Sequence, residues 1–154
     1  MKTETTLSRP VRIVVIGAGN RAHKYLEFAR RNPEQLRLAA IVEVNDLRRR
    51  AMADAFGLPD KYCYAHYDDF FAERLDADMV LISTPENAHF DPAVKAIDAG
   101  YHVLLEKPIA QRLDECREIA RRARVCTSAR MSLSVSSSSS RESVSSGRCS
   151  SSAA

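Results

Sequence analysis

The sequence predicts an α/β protein built on a doubly wound parallel sheet, and three observations carry that prediction. Short apolar runs rich in Val, Ile and Leu recur between residues 10 and 126. Segments of helical periodicity separate them, and Gly, Pro, Asn or Asp marks most of the handovers. Strands that are apolar on both faces need a sheet covered on both sides, and strand–helix alternation implies parallel pairing through right-handed crossovers. Ligands of such sheets sit beyond the carboxyl ends of the strands, and the unusual residues of this chain fall there.

The first strand is Val11 to Ile16, β-branched enough for a pleated surface, and it runs into a tight turn holding Gly17 and Gly19. One amphipathic helix later comes a second strand, Leu36 to Val44. A helix over Asp46 to Phe56 is capped by Asn45 or Asp46, ends at Gly57, and presents Leu47, Ala51 and Ala55 at helical spacing. Cys63 to Tyr67 fits a third strand. Asp68 and Asp69 then cap a short helix holding Phe70, Phe71 and Leu75, which leads to a fourth strand, Met79 to Ser83. Thr84 and Pro85 stand at its end. A helix from Asp91 to Ala99 closes at Gly100, a fifth strand spans Tyr101 to Leu105 and runs into Glu106, Lys107 and Pro108, and a last helix covers about Leu113 to Arg124. Tyr62, Tyr64 and Tyr67 read as core packing.

Composition narrows the functional classes. The 154 residues suggest one domain, and the net charge of +3 is contributed mostly by the last 28 residues, so nothing calls for nucleic acid. No apolar run approaches a membrane span and MKTETTLSRP lacks the apolar centre of a signal peptide; the expectation is a cytoplasmic protein. Cys63, Cys116, Cys126 and Cys149 show no metal or disulfide spacing and read as free thiols, with no metal site expected. Three segments follow: an N-terminal extension over 1–9, a nucleotide-binding domain over 10–126, and a tail over 127–154. That tail holds 14 serines and no periodic pattern, which predicts disorder. Its abrupt texture suggests a shifted reading frame or a premature end, testable by looking for a continuation in another frame of the gene.

The glycine turn carries the chemistry. In a GxGxx(G/A) fingerprint the first glycine makes the bend, the second lets backbone N–H groups approach a pyrophosphate, and the third small residue packs helix on strand; Gly17, Gly19 and Ala22 supply these positions. Asn20 and Arg21 open the helix whose N-terminal dipole faces the phosphates, and Arg21, His23 and Lys24 add positive charge. Glu43 lies 21 residues beyond Ala22, near the end of the second strand, where a carboxylate can accept both adenosine ribose hydroxyls and repel a 2′-phosphate. That favours NAD. Arg48, at the next helix start, can bind a 2′-phosphate, so NADP stays open. A tight turn and a strand-end glutamate without any ligand would explain the same residues.

In order behind the glycine loop and Glu43, Thr84 to Phe90 (TPENAHF) and Ala96 to Ala110 (AIDAGYHVLLEKPIA) resemble the glucose-fructose oxidoreductase / inositol dehydrogenase (Gfo/Idh/MocA) family over about residues 10 to 125. The resemblance implies a Rossmann-type domain and hydride transfer between a nicotinamide cofactor and a sugar, cyclitol or related hydroxyl compound. It places Lys107 of the EKP motif beside the nicotinamide ribose and the substrate hydroxyl, which makes Lys107 the one catalytic candidate, able to assist proton movement at the carbinol oxygen. Glu106 would contact the ribose and Pro108 would stiffen the strand exit. Thr84 and Pro85 would form the turn under the cofactor, with Asn87 and His89 at matching loop positions and His89 acting as a positioning partner or cap.

The family continues into a larger α/β domain that binds substrate, supplies a catalytic aspartate and histidine and mediates oligomers. The resemblance thus implies that the C-terminal substrate domain is missing here, so that the chain binds nucleotide without turnover. The alternative is a non-catalytic module that binds nucleotide or a partner. An unpaired sheet edge where a sixth strand would follow favours association, homo-oligomers included.

Overall fold

Residues 8–138 are described in a computed structural model of the chain, with side chains described through residue 126. Five strands, β1 (Val11–Ile16), β2 (Leu36–Val42), β3 (Cys63–Tyr64), β4 (Met79–Ile82) and β5 (His102–Leu105), form one all-parallel sheet in the order β3-β2-β1-β4-β5. Helices α1 (Asn20–Arg31), α2 (Asp46–Phe56), α3 (Tyr67–Glu73), α4 (Phe90–Asp98) and α5 (Leu113–Ser138) connect and cover them. This is the Rossmann-type arrangement expected. No helix among the described residues is long and apolar enough to cross a membrane.

Two cores lie on the two faces of the sheet. Val14 and Ile16 of β1 point to one, with Val80, Ile82, Phe70, Ala93, Ala96 and Ile119. Ile13 and Val15 point to the other, with Leu26, Met52 and Leu81. In β2 the alternation breaks, because Leu38 and Ile41, an odd number of residues apart, share the second core. The register explains it: Ile13 pairs with Leu38 but Val14 pairs with Ala40, so Ala39 is an extra residue. This bulge flips the phase, so that Leu38 and Ile41 lie on the same face of the sheet. On α1, Ala22, Leu26 and Ala29 form the buried stripe.

Boundaries differ from expectation most where a helix starts inside an expected strand. Helix α2 has the expected limits, with the Asn45 side chain accepting from the Arg48 N–H and Gly57 in the left-handed conformation. Strand β3 has two residues instead of five. The chain turns into α3 at Tyr67, so Asp68 and Asp69 lie within its first turn, where the helix dipole favours them. Strands β2 and β4 stop at Val42 and Ile82, leaving Glu43 and Ser83 just beyond the sheet.

Helix α5 also departs from the reading. It continues to Ser138, so residues 127–138, expected to lack structure, extend an existing helix. The stretch contains neither glycine nor proline, and serine costs a growing helix only about 0.5 kcal/mol per residue once nucleation is complete. Residues 139–154 lie outside the described residues, as do residues 1–7 of the expected extension. Arg9, assigned to that extension, is tied to the domain: its guanidinium donates to both Asp78 carboxylate oxygens at 2.7 Å.

Candidate functional site

The bend after β1 is held by backbone. Gly17 N–H donates to Val42 O at 2.8 Å, the Ser83 hydroxyl donates to Gly17 O at 2.8 Å, and Ser83 N–H donates to Ile16 O at 2.9 Å. Gly17 has φ +96°, and a Cβ there would lie 2.8 Å from the Thr84 nitrogen, so both conformation and space demand glycine. Gly19 is different. Its φ is −80° and a Cβ would meet nothing within 4 Å. This glycine leaves an open approach to the first turn of α1, whose cap makes no side-chain hydrogen bond and which carries no acid. Free N–H groups at a dipole's positive end suit an anion.

Glu43 closes the bend from the β2 side. Its Oε2 accepts from the Ala18 N–H at 2.7 Å and its Oε1 from the Asn45 N–H at 2.9 Å, and the side chain is buried. The carboxylate therefore sits against the glycine loop, and each oxygen keeps lone-pair capacity for a further donor. A cavity of about 400 Å³ opens here, reached by Gly17, Gly19, Glu43, Arg48, Thr84 and Pro85. Arg49 and Arg50 are engaged with Asp46, and Arg49 also donates to Glu43 O at 2.6 Å. The cavity opens across the carboxyl ends of β1 to β4, which include the point between β1 and β4 where the strand order reverses. A hollow of about 620 Å³ beside Arg12, Leu36 and Leu58 lies by the amino ends of β1 and β2, away from the glycine loop.

At the other end the loop after β5 is fastened from two sides. Glu106 is buried, with Oε1 accepting from the Tyr25 hydroxyl of α1 at 2.8 Å and Oε2 from the Lys107 N–H at 3.0 Å. These bonds hold its carboxyl below the ordinary value, Tyr25 contributing most, and Glu106 in turn pushes the Tyr25 phenol up. The Lys107–Pro108 peptide is cis. His89 is buried with Nδ1 2.8 Å from Pro108 O and Nε2 3.0 Å from Thr84 O.

Of the residues expected to bind cofactor, six line the cavity, and Asn20 and Arg21 stand exposed at the α1 start beside it. Ala22 is fully buried in the core, as its packing role requires. Asn87 is exposed on the turn over Glu86–Ala88, and Lys107 and Pro108 are exposed beyond β5; none of these lines the cavity. His89 and Glu106 are directed into protein rather than toward it. Val44, Ala65, His66 and Tyr67 line the cavity and were not singled out. Tyr67 packs against the core beside Phe71, as expected, and the early start of α3 also brings it to the cavity wall, a consequence of chain direction that composition does not reveal. Tyr64 does pack in the core, edge-on to Phe70, with its hydroxyl donating to Glu73 at 2.6 Å. Among the described residues Cys63, Cys116 and Cys126 are unpaired, and no group of three His, Cys, Asp or Glu comes together.

A glycine bend on an uncapped helix start, with an acid bonded to it at the switch point of a parallel sheet, defines a dinucleotide-binding domain. The chain belongs to the Gfo/Idh/MocA family: the profile described as "Oxidoreductase family, NAD-binding Rossmann fold" matches residues 11–131. D-glucoside 3-dehydrogenase of Escherichia coli is 31% identical over 126 residues, which are 80% of this chain and 34% of that protein. A glycosyl hydrolase family 109 protein of Solibacter usitatus is 36% identical over 71% of this chain and 26% of its own length. The inositol dehydrogenase homolog of Azotobacter vinelandii, solved with NAD+, superposes with TM-score 0.67 at 25% identity, over 78% of this chain and 33% of that one. The WlbA dehydrogenase of Bordetella pertussis, solved with NADH and UDP-GlcNAcA, shares the fold with TM-score 0.70 at 23% identity, over 77% and 34%. The chain spans about a third of the length of these relatives.

Proposed function

We propose that this chain is the nucleotide-binding part of a nicotinamide-dependent oxidoreductase acting on a sugar, cyclitol or related hydroxyl compound. The observation that carries it is the Glu43 carboxylate bonded to Ala18 within the glycine bend, beside an open helix start. The residues fit a dinucleotide: N–H groups at Gly19, Asn20 and Arg21 would take the pyrophosphate, Glu43 the adenosine ribose hydroxyls, and Thr84 and Pro85 the floor. When bound, the nicotinamide supplies hydride donation or acceptance. Lys107 follows β5 on a loop fixed by Glu106, and its ammonium can hydrogen-bond the reacting oxygen and stabilise charge as a proton leaves.

NAD is the preferred cofactor in this reading, because Glu43 already occupies the place a 2′-phosphate would need. Arg48 on the same cavity favours NADP, and D-xylose 1-dehydrogenase (NADP(+)) 2 of Haloferax volcanii is 38% identical over half of this chain. Calorimetric titration of the 154-residue chain with each nucleotide decides: one-site binding with NAD the tighter is expected, and no heat with either overturns the reading. Steady NADH formation with a panel of sugars and cyclitols is not expected of these residues alone. Orientation of the substrate can be worth about 7 kcal/mol or more, and in this reading it comes from beyond them.

A further inference from the structure

Glu106 is a buried acid whose two oxygens are both engaged by protein. Its backbone N–H donates to Ile82 O at 3.0 Å, which holds its main chain against the end of β4. Its Oε2 accepts from the Lys107 N–H at 3.0 Å and its Oε1 from the Tyr25 hydroxyl at 2.8 Å. Arg21 Nε lies 3.9 Å from the same Oε1, an ion pair beyond hydrogen-bond reach on a mostly exposed guanidinium. The orientation of the carboxylate therefore depends on Tyr25. This tyrosine belongs to the helix whose start forms the anion site. Arg21 and Tyr25 are four residues apart and share one flank of α1, beside the buried stripe of Ala22, Leu26 and Ala29. Side chains on a helix lean toward its N-terminus, so Tyr25 reaches back along α1 toward the end that faces the cavity. Its ring is 39% exposed and joins neither core.

We infer that Tyr25 is a positioning residue for Lys107, acting through Glu106: α1 offers its start to the pyrophosphate and, one turn on, sets the loop that carries the ammonium. The inference rests on the reading of the cavity as a nicotinamide dinucleotide site. Glu106, which the resemblance would place on the ribose, is here a strut between α1 and the Lys107 main chain. Tyr25→Phe keeps the ring and takes the hydrogen bond from Oε1. The carboxylate then turns toward water or Arg21 and lets go of the Lys107 N–H.

Amide hydrogen exchange of the full chain, followed by NMR, reads the strut without any ligand. In Tyr25→Phe the Lys107 amide is expected to exchange about tenfold faster, with the amides of β1 and β4 unchanged. Unchanged exchange at Lys107, or equal acceleration throughout β1 and β4, overturns the inference. NADH titration followed by fluorescence, on wild type, Tyr25→Phe, Lys107→Ala and the double variant, reads the positioning. Tyr25→Phe is expected to weaken NADH binding about fivefold and Lys107→Ala about tenfold, with the double variant no weaker than Lys107→Ala alone, because the two residues act in series. A merely structural tyrosine would cost the same factor in the wild-type and Lys107→Ala backgrounds. That result overturns the positioning role, as does wild-type affinity in Tyr25→Phe. Absence of NADH binding by the wild type removes the cofactor reading and the Lys107 role with it, while the exchange result stands apart, so the two failures are told apart.

Discussion

Gly17 and Glu43 show how much one residue can decide at this site. An alanine at Gly17 would drive its Cβ into backbone at Ser83 and Thr84, which has no flexible end to yield. Gly17→Ala is therefore expected to lower unfolding stability by about 3 kcal/mol, read by urea denaturation. Glu43 receives two backbone N–H bonds, and an amide nitrogen cannot accept the second; Glu43→Gln should lower stability by about 1 kcal/mol and weaken NAD binding about tenfold, with less effect on NADP. An unchanged ratio of the two affinities would remove Glu43 from the ribose. Both residues were legible in the sequence, because a fingerprint fixes spacing along the chain. Tyr25 was not: its hydroxyl meets Glu106, 81 residues away, and only the fold brings them together.

At the scale of elements, the strands and helices were readable from apolar runs and caps, and the errors lie where two local signals compete. Cys63 to Tyr67 is apolar enough for a strand, yet the acids that follow claim its last residue for α3. The bulge at Ala39 was invisible because a run apolar on both faces has no alternation whose break could be seen. Helix α1 is the best test of the packing that results. Leu26 is fully buried, and Leu26→Ala should cost about 3 kcal/mol. The segment before β4 carries one part of the acid pH dependence, beside Glu118 on α5, which its ion pairs with Arg121 and Arg122 also hold low. Arg9 and the Arg12 N–H bond the Asp78 carboxylate and lower it from 3.8 to about 2. Because the folded value lies below the ordinary one, the unfolded chain takes up the proton first. The stabilisation is present above about pH 4 and is lost as pH falls toward about 2. Asp78→Asn should flatten that part of an acid unfolding curve, with a loss at neutral pH of about 1 kcal/mol or less after solvent screening.

For the whole molecule, the reversal of strand order between β1 and β4 gathers the glycine bend, Glu43 and the Thr84 turn around one cavity. The sheet ends at β5, where Leu104 is 37% exposed, and the chain spans about a third of its relatives' length. That location of the site was legible, since every motif falls at a strand's carboxyl end. Which side chains wall the cavity was not, since Ala65, His66 and Tyr67 carry no signature of their own. The central claim is that the open helix start at Gly19 receives a pyrophosphate. Its most direct test is NADH titration of wild-type and Gly19→Ala chains, alongside thermal unfolding of both. A Cβ at Gly19 touches nothing in the protein, so unfolding should be unchanged while NADH affinity drops at least about tenfold. Equal affinity in the two proteins would contradict the account.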